Sequence, residues 1–154
     1  MTNAHTAPQL LATSTRFWDK TARKYAAAAI ADTPGYEHTL QCVRQRLLAT
    51  DRVLELGCGT ATTALRLASA TGHYTATDLS PVMLDYAHQK LASAPPGVQR
   101  VLHLLVADAD ADVPAPAPLT LIGGGATQAA SADAGWDMVL AFNLLHLVPD
   151  LDHT

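Results

Sequence analysis

The chain has 154 residues, of which 49% are hydrophobic and 16% charged, and its formal net charge at pH 7 is −4. This length and composition indicate one globular domain, and a negative balance without a Lys/Arg cluster argues against nucleic-acid binding. The two cysteines are too few for a disulfide framework, and no segment is typical of a signal peptide or a membrane span. We therefore predict a cytoplasmic protein with no nucleic-acid or membrane partner.

The first third of the chain predicts two helices behind a flexible N-terminus at residues 1–14. Apolar residues at helical spacing favour a helix from about Thr15 to Ala31. Pro34 and Gly35 are predicted to end it. A second helix is predicted from about Tyr36 to Leu48, because Leu and Val side chains repeat there at helical spacing.

The centre of the chain alternates strands and helices. Strands are predicted at Arg52–Leu56 and His73–Thr77, and a nearly continuous apolar run predicts a buried strand at Arg100–Ala107. The helices between them are predicted at Thr60–Ala70 and from Pro81 to about Ser93. Ser80 is expected to cap the second of these helices, and Pro95-Pro96-Gly97 to break it.

The last third of the chain contains an irregular stretch before a final strand. Residues 109–135 hold Asp-Ala repeats, three prolines and a Gly run, which indicates a low-complexity loop insertion. A strand at Asp137–Phe142 and a short helix at Leu144–Val148 follow. The whole pattern predicts an α/β fold with a parallel sheet of about four strands and helices on both faces.

A glycine turn follows the first predicted strand. Residues 53–61 read Val-Leu-Glu-Leu-Gly-Cys-Gly-Thr-Ala, so Gly57 and Gly59 lie where a strand ends and a helix begins. Glycines let the backbone approach a ligand closely, and this is where α/β proteins bind ligands. Glu55, two residues before the first glycine, would repel a pyrophosphate but suits a cationic ligand.

Further polar residues end the other three predicted strands. Asp78 can accept both hydroxyl protons of a ribose, and Asp108 can accept from an exocyclic amine such as that of adenine. Asn143 lies beside the same crevice. Because carboxyl ends of parallel strands share one edge, these residues predict one ligand site.

These motifs, in this order, resemble those of class I S-adenosylmethionine-dependent methyltransferases of the small-molecule type. The resemblance rests on the glycine turn, on Asp78-Leu-Ser-Pro, on Ala107-Asp-Ala and on Trp136-Asp-Met-Val-Leu-Ala-Phe-Asn, and it covers roughly residues 15–151. It implies a Rossmann-like methyltransferase fold that binds S-adenosyl-L-methionine and methylates a small-molecule acceptor. The predicted domain spans residues 15–154.

The resemblance also implies a role for each matching residue. Gly57, Cys58 and Gly59 would lie under the methionine part of the cofactor, and Glu55 would face its ammonium, usually through water. The remaining implied contacts are Asp78 to the ribose hydroxyls, Leu79 and Met83 beside the adenine, Asp108 and Ala109 at the adenine amine, and Asn143 near the methyl group.

Three residues have alternative interpretations. The segment from Phe17 to Tyr25 resembles an amino-terminal cap that closes over the cofactor, so Tyr25 is either a packing residue or a cofactor contact. His146 is either a catalytic general base, a pocket residue or a helix-packing histidine. Cys58 is either a small filler between two glycines or a reactive thiol. The histidines show no metal-ligand spacing.

The resemblance implies seven strands, whereas the predicted elements supply four and lack the last three. We expect the fourth strand to be an exposed apolar edge that favours self-association. Two alternatives to an active methyltransferase follow: a non-catalytic truncated remnant, and a nicotinamide-dependent oxidoreductase. Glu55 and Thr62, which stands where a third glycine is expected, count against the oxidoreductase.

Overall fold

A computed structural model describes residues 7–116 and 135–142, and two helices precede the sheet. Helix α1 spans Ala7–Ala27 and helix α2 spans Thr33–Arg44. Helix α1 begins well before the predicted Thr15, so part of the segment predicted as a flexible N-terminus is helical. Pro34 and Gly35 lie in the first turn of α2, so the prediction that they end the first helix is wrong. Asp32 caps α2 by accepting a hydrogen bond from Gly35 N at 3.0 Å, and proline is favoured in a first turn because its missing N–H is not needed there.

Within the described residues, four parallel strands form one sheet, as predicted. They are β1 (Arg52–Leu56), β2 (His73–Asp78), β3 (Leu102–Val106) and β4 (Met138–Ala141). The spatial order is β3-β2-β1-β4, so the chain extends the sheet to one side of β1 and then returns to the other side. Such a reversal of strand order opens a crevice at the carboxyl ends of the strands.

Burial follows the position of each strand in the sheet. All five residues of β1 are buried, because β1 has neighbours on both edges and helices pack against the sheet. The prediction of a buried third strand is wrong in part. In the described structure β3 is an edge strand, and Leu105 and Val106 are exposed by 44% and 52%.

The helices that follow the strands begin where their sequences favour it. Helix α3 spans Thr62–Leu67 and continues into a 3₁₀ turn at Ala68–Ala70. Helix α4 spans Pro81–Ala92, and Ser80 Oγ accepts a hydrogen bond from Met83 N at 3.1 Å, which confirms the predicted cap. A short helix that was not predicted, α5, spans Pro96–Val101, so Pro95-Pro96-Gly97 separates two helices.

The two described ends of the predicted insertion meet beside β1. Trp136 Nε1 donates to Val113 O at 2.8 Å, and Arg52 Nη1 donates to Pro116 O at 3.3 Å. The Arg52 guanidinium also binds both carboxylate oxygens of Asp137, at 2.9 and 3.0 Å. Residues 113–116 therefore lie next to the start of β1 and to the residues that precede β4. The helix predicted at Leu144–Val148 lies outside the described residues.

Within the described ranges, no helix combines the length and apolar character that crossing a membrane requires.

Candidate functional site

The glycine turn connects β1 to α3 at the crevice edge of the sheet. Gly57 and Gly59 have φ values of 64° and 56°, in the left-handed region that glycine adopts without strain. Cys58 N donates to Thr77 O at 2.8 Å and so fastens the turn to the end of β2. The structure thus brings the turn to the neighbouring strand end, as the strand pattern predicts.

Asp78, the last residue of β2, lies directly against this turn. Its Oδ2 accepts from Gly59 N at 2.7 Å and its Oδ1 accepts from Ser80 N at 2.9 Å. Burial raises the pKa of Asp78, and the backbone hydrogen bonds from Ser80 and Gly59 oppose the rise. Each carboxylate oxygen has more than one acceptor site, so the side chain retains capacity to accept protons from a ligand's hydroxyls.

Glu55 is a buried carboxyl group in the middle of the sheet. Its side chain is only 2% exposed, and its Oε2 accepts a hydrogen bond from Tyr74 OH at 2.8 Å. Burial raises the pKa of Glu55 to about 7, although the hydrogen bond from Tyr74 lowers it. With a pKa of about 7, the acid and the carboxylate form of this group are both populated near neutral pH.

Cys58 is packed rather than reactive. It is 8% exposed, and its burial beside Glu55 and Asp78 raises the pKa of the thiol far above its usual range. A thiol held in its neutral form is a poor nucleophile. The structure therefore favours the interpretation of Cys58 as a small filler.

Ala61 is the unusual residue of the turn. Its φ of 56° and ψ of 27° are left-handed, and it is the non-glycine residue with positive φ in the described structure. That conformation costs an L-residue with a Cβ about 1–2 kcal/mol. The methyl group is completely buried in the core, which offsets about 0.8 kcal/mol of the cost. Alanine does not favour this conformation, so the amino-acid sequence alone does not indicate it.

The ammonium of Lys90, in the last turn of α4, binds the same turn from behind. Its Nζ donates to Thr60 O at 3.2 Å, to Thr60 Oγ1 at 2.7 Å and to Thr62 Oγ1 at 3.0 Å. Among the residues that the structure describes, no carboxylate pairs with this ammonium. Burial lowers the pKa of Lys90. Sequence patterns contain no signal for this contact.

Helix α1 packs over the site. A Cβ built on Gly59 would lie 3.2 Å from Tyr25 Cε1, so the tyrosine ring rests on the glycine turn. Asp19 lies six residues before Tyr25 on the same helix, and its Oδ1 accepts a hydrogen bond from Ser80 Oγ at 2.6 Å. The segment predicted as a cap therefore contacts both the turn and the residues after Asp78. Asp19 was not among the predicted site residues.

The other predicted positions divide into described and undescribed residues. Asp108 follows β3 at the same edge of the sheet, where its Oδ1 accepts from Ala109 N at 2.7 Å. Leu79 is half-buried, whereas Met83 is 2% exposed and belongs to the interior. Asn143 and His146 lie outside the described residues.

Comparison with known proteins identifies the chain's relatives. A family described as "Methyltransferase domain" matches residues 54–154. The Bacillus subtilis (strain 168) protein YqeM, whose name assigns it provisionally to the methyltransferases, is 36% identical over 61 residues. That match covers 40% of this chain and 25% of YqeM.

Solved structures show the same fold. Magnesium protoporphyrin IX methyltransferase (ChlM) from Synechocystis PCC 6803, solved with bound SAM, aligns with a TM-score of 0.63 at 19% identity. The alignment covers 96% of this chain and 67% of that protein. The complex of DhpI with SAH aligns with a TM-score of 0.58 at 22% identity, over 94% of this chain and 59% of DhpI. The chain thus spans a quarter of YqeM and little more than half of DhpI.

The parallel sheet, its strand order and the matched family agree with the predicted class I methyltransferase fold. The chain belongs to the methyltransferase-domain family.

Proposed function

We propose that this chain binds S-adenosyl-L-methionine in the crevice beside the glycine turn and methylates a small-molecule acceptor. The observation that carries the proposal is the position of Asp78, whose carboxylate is fixed by Gly59 N and Ser80 N at the end of β2. Membership of the methyltransferase-domain family and the SAM- and SAH-bound relatives of similar fold support it.

The charges around the turn fit this cofactor better than an anionic one. Glu55 and Asp78 lie close enough for each to affect the protonation of its neighbours. A sulfonium and an ammonium are both favoured next to carboxylates, whereas a pyrophosphate is not. Glu55 is buried, so we propose that it acts on the ammonium through water rather than by direct contact. An ammonium nearby would favour the carboxylate form of Glu55.

The remaining contacts follow from the resemblance and from position. Asp78 would accept the ribose hydroxyls, and Leu79 would border the adenine. Asp108 and Ala109, at the end of β3, would hold the adenine amine. Met83 is too deeply buried to offer more than an apolar floor. We retain Gly57, Cys58, Gly59 and Tyr25 as cofactor contacts, with Asn143 and the candidate base His146 nearer to the acceptor.

When bound, the cofactor supplies an activated methyl group that leaves by in-line displacement. The chain's own residues therefore need to align the two reactants and exclude water rather than generate a strong nucleophile. Helix α1 is placed for the second task, because Tyr25 lies on Gly59 and the helix is fixed to the start of α4 through Ser80.

Titration calorimetry with S-adenosylhomocysteine tests the proposal. We expect saturable binding that Asp78→Ala weakens by more than about tenfold, since it removes the charged acceptor of two hydroxyl protons. Asp85→Ala is the matched control, because Asp85 is an exposed carboxylate on neighbouring α4. Absence of binding by a folded chain, or preferential binding of a nicotinamide nucleotide, would contradict the proposal. Equal losses in the two variants would also contradict it.

We further propose a cytoplasmic location and self-association through β4. The two free cysteines support the first, and Cys58 is buried. The second is supported by β4, which pairs only with β1 within the described residues and exposes Val139 by 55%. Fractionation of cells that express the tagged chain, and light scattering coupled to size exclusion, test these two statements. Secretion, or a monomer at high concentration, would refute them.

A further inference from the structure

We infer that Lys90 is a positioning residue that holds the cofactor-binding turn in its strained shape. The inference rests on the proposed function, because it concerns the same turn. It begins from two unusual features that lie next to each other: a left-handed alanine, and a partly buried ammonium whose partners among the described residues are all uncharged oxygens.

The three acceptors of Lys90 flank the strained residue. Thr60 O and Thr60 Oγ1 precede Ala61, and Thr62 Oγ1 follows it. Thr60 O belongs to the peptide group between Thr60 and Ala61, and rotation of that group changes the φ of Ala61. An ammonium that fixes this oxygen therefore opposes return of Ala61 to a right-handed or extended conformation.

The geometry of the turn makes this restraint relevant to binding. Gly59 N donates to Asp78 Oδ2, while Ala61 N donates to Cys58 O at 2.9 Å and Leu65 N donates to Ala61 O at 3.0 Å. If Ala61 changed conformation, the first turn of α3 and the Cys58–Gly59 segment would shift together. Asp78, the carboxylate proposed to bind the ribose hydroxyls, would then lose the hydrogen bond from Gly59 N that orients it.

A glycine at this position would adopt the same conformation without strain. The effect of removing the ammonium should therefore depend on the residue at position 61. A lysine that contributed only to general stability would show no such dependence, because effects of independent substitutions add.

The test is a double-substitution cycle with Lys90→Met and Ala61→Gly. Affinity for S-adenosylhomocysteine is measured by calorimetry, and amide exchange of residues 57–62 is measured by NMR or mass spectrometry. We expect Lys90→Met to weaken binding about tenfold and to speed exchange in the turn, because it removes charged hydrogen bonds. Adding Ala61→Gly should restore affinity to within about threefold of the parent chain.

Two further variants keep the inference testable if Lys90→Met folds poorly. Thr62→Val removes one of the three acceptors from an exposed residue, and we expect it to weaken binding about threefold. Arg100→Met is the matched control, since Arg100 is an exposed basic residue on α5, and it should leave both readouts unchanged.

Equal losses from Lys90→Met with and without Ala61→Gly would overturn the inference, as would unchanged binding in Thr62→Val. If the parent chain does not bind S-adenosylhomocysteine, the proposed function fails, but the exchange measurements still test the restraint. In that case, exchange that Lys90→Met accelerates and Ala61→Gly restores supports it, and exchange that Lys90→Met does not alter refutes it.

Discussion

We predict that the buried carboxyl group of Glu55 makes the free energy of unfolding depend on pH, and that replacing this one residue removes its contribution. Glu55 lies in the central strand β1, where its side chain is 2% exposed and accepts a hydrogen bond from Tyr74 OH. Glu55→Gln keeps the shape and an acceptor for that hydrogen bond, but it removes the ionisation. The wild-type chain must ionise this buried group as pH rises, whereas the variant never does.

The size of the effect follows from the two pKa values. Burial raises the pKa of Glu55 from 4.5 to about 7, so the folded state binds the proton more tightly than the unfolded state. The stability associated with the neutral form is fully present below pH 4.5 and is lost as pH rises through about 7. At about 1.4 kcal/mol for each pH unit between the two values, ionisation costs about 3 kcal/mol of unfolding free energy by pH 8. At pH 5 the cost is only about 1 kcal/mol.

Urea unfolding of both chains at several pH values between 5 and 8 measures this effect. We expect the free energy of unfolding of Glu55→Gln to rise relative to wild type by about 2–3 kcal/mol across this range. A fixed cost of burying the amide shifts all points equally and cancels from the comparison. Groups that do not interact with Glu55 titrate in the same way in both chains. A difference between the chains that stays constant from pH 5 to pH 8 would refute the reasoning.

Two other predictions concern residues of the candidate site. Ser80→Ala removes both the cap of α4 and the hydrogen bond to Asp19, so we expect the free energy of unfolding, measured with heat or urea, to fall by about 1–3 kcal/mol. The control Ser93→Ala changes an exposed serine and should stay within about 0.5 kcal/mol of wild type; equal effects of the two substitutions would contradict the prediction. Binding of S-adenosylhomocysteine near pH 7 should release up to about half a proton, because the ammonium of the ligand favours the ionised form of Glu55. Calorimetry in buffers of different ionisation enthalpy measures the number of protons released. Proton release that persists in Glu55→Gln would contradict the prediction.

The sequence predicted those elements whose local signals and tertiary environment agree. Strand β1 has the predicted bounds, and Ser80-Pro81 begins α4 as expected, because a capping serine and a first-turn proline both favour that start. Pro34 was misinterpreted because proline both follows helices and opens them. The apolar sequence of β3 could not reveal exposure, which depends on the order of strands in the sheet rather than on the strand itself.

Some contacts of the candidate site could also be predicted from local sequence patterns, and others could not. Contact between the glycine turn and Asp78 was predictable, because parallel strands bring their carboxyl ends to one edge. The contacts of Asp19 with Ser80 and of Lys90 with Thr60 join residues 61 and 30 positions apart through helix packing. Periodicity assigns such residues to a helix but does not identify the surface that they meet. The strain at Ala61 has no local signal, because alanine does not favour a left-handed backbone and only the structure shows its φ.

The contacts that Val113 and Pro116 make with Trp136 and Arg52 have a practical consequence for protein engineering. Val113 and Trp136 are joined by a hydrogen bond, and Arg52 contacts both Pro116 and Asp137. These contacts hold Asp137 against the first residue of β1, directly before the parallel register of β1 and β4 begins. We therefore expect a reporter domain or an affinity tag inserted between Pro116 and Trp136 to leave the geometry of the ligand crevice, at the opposite end of β1, unchanged.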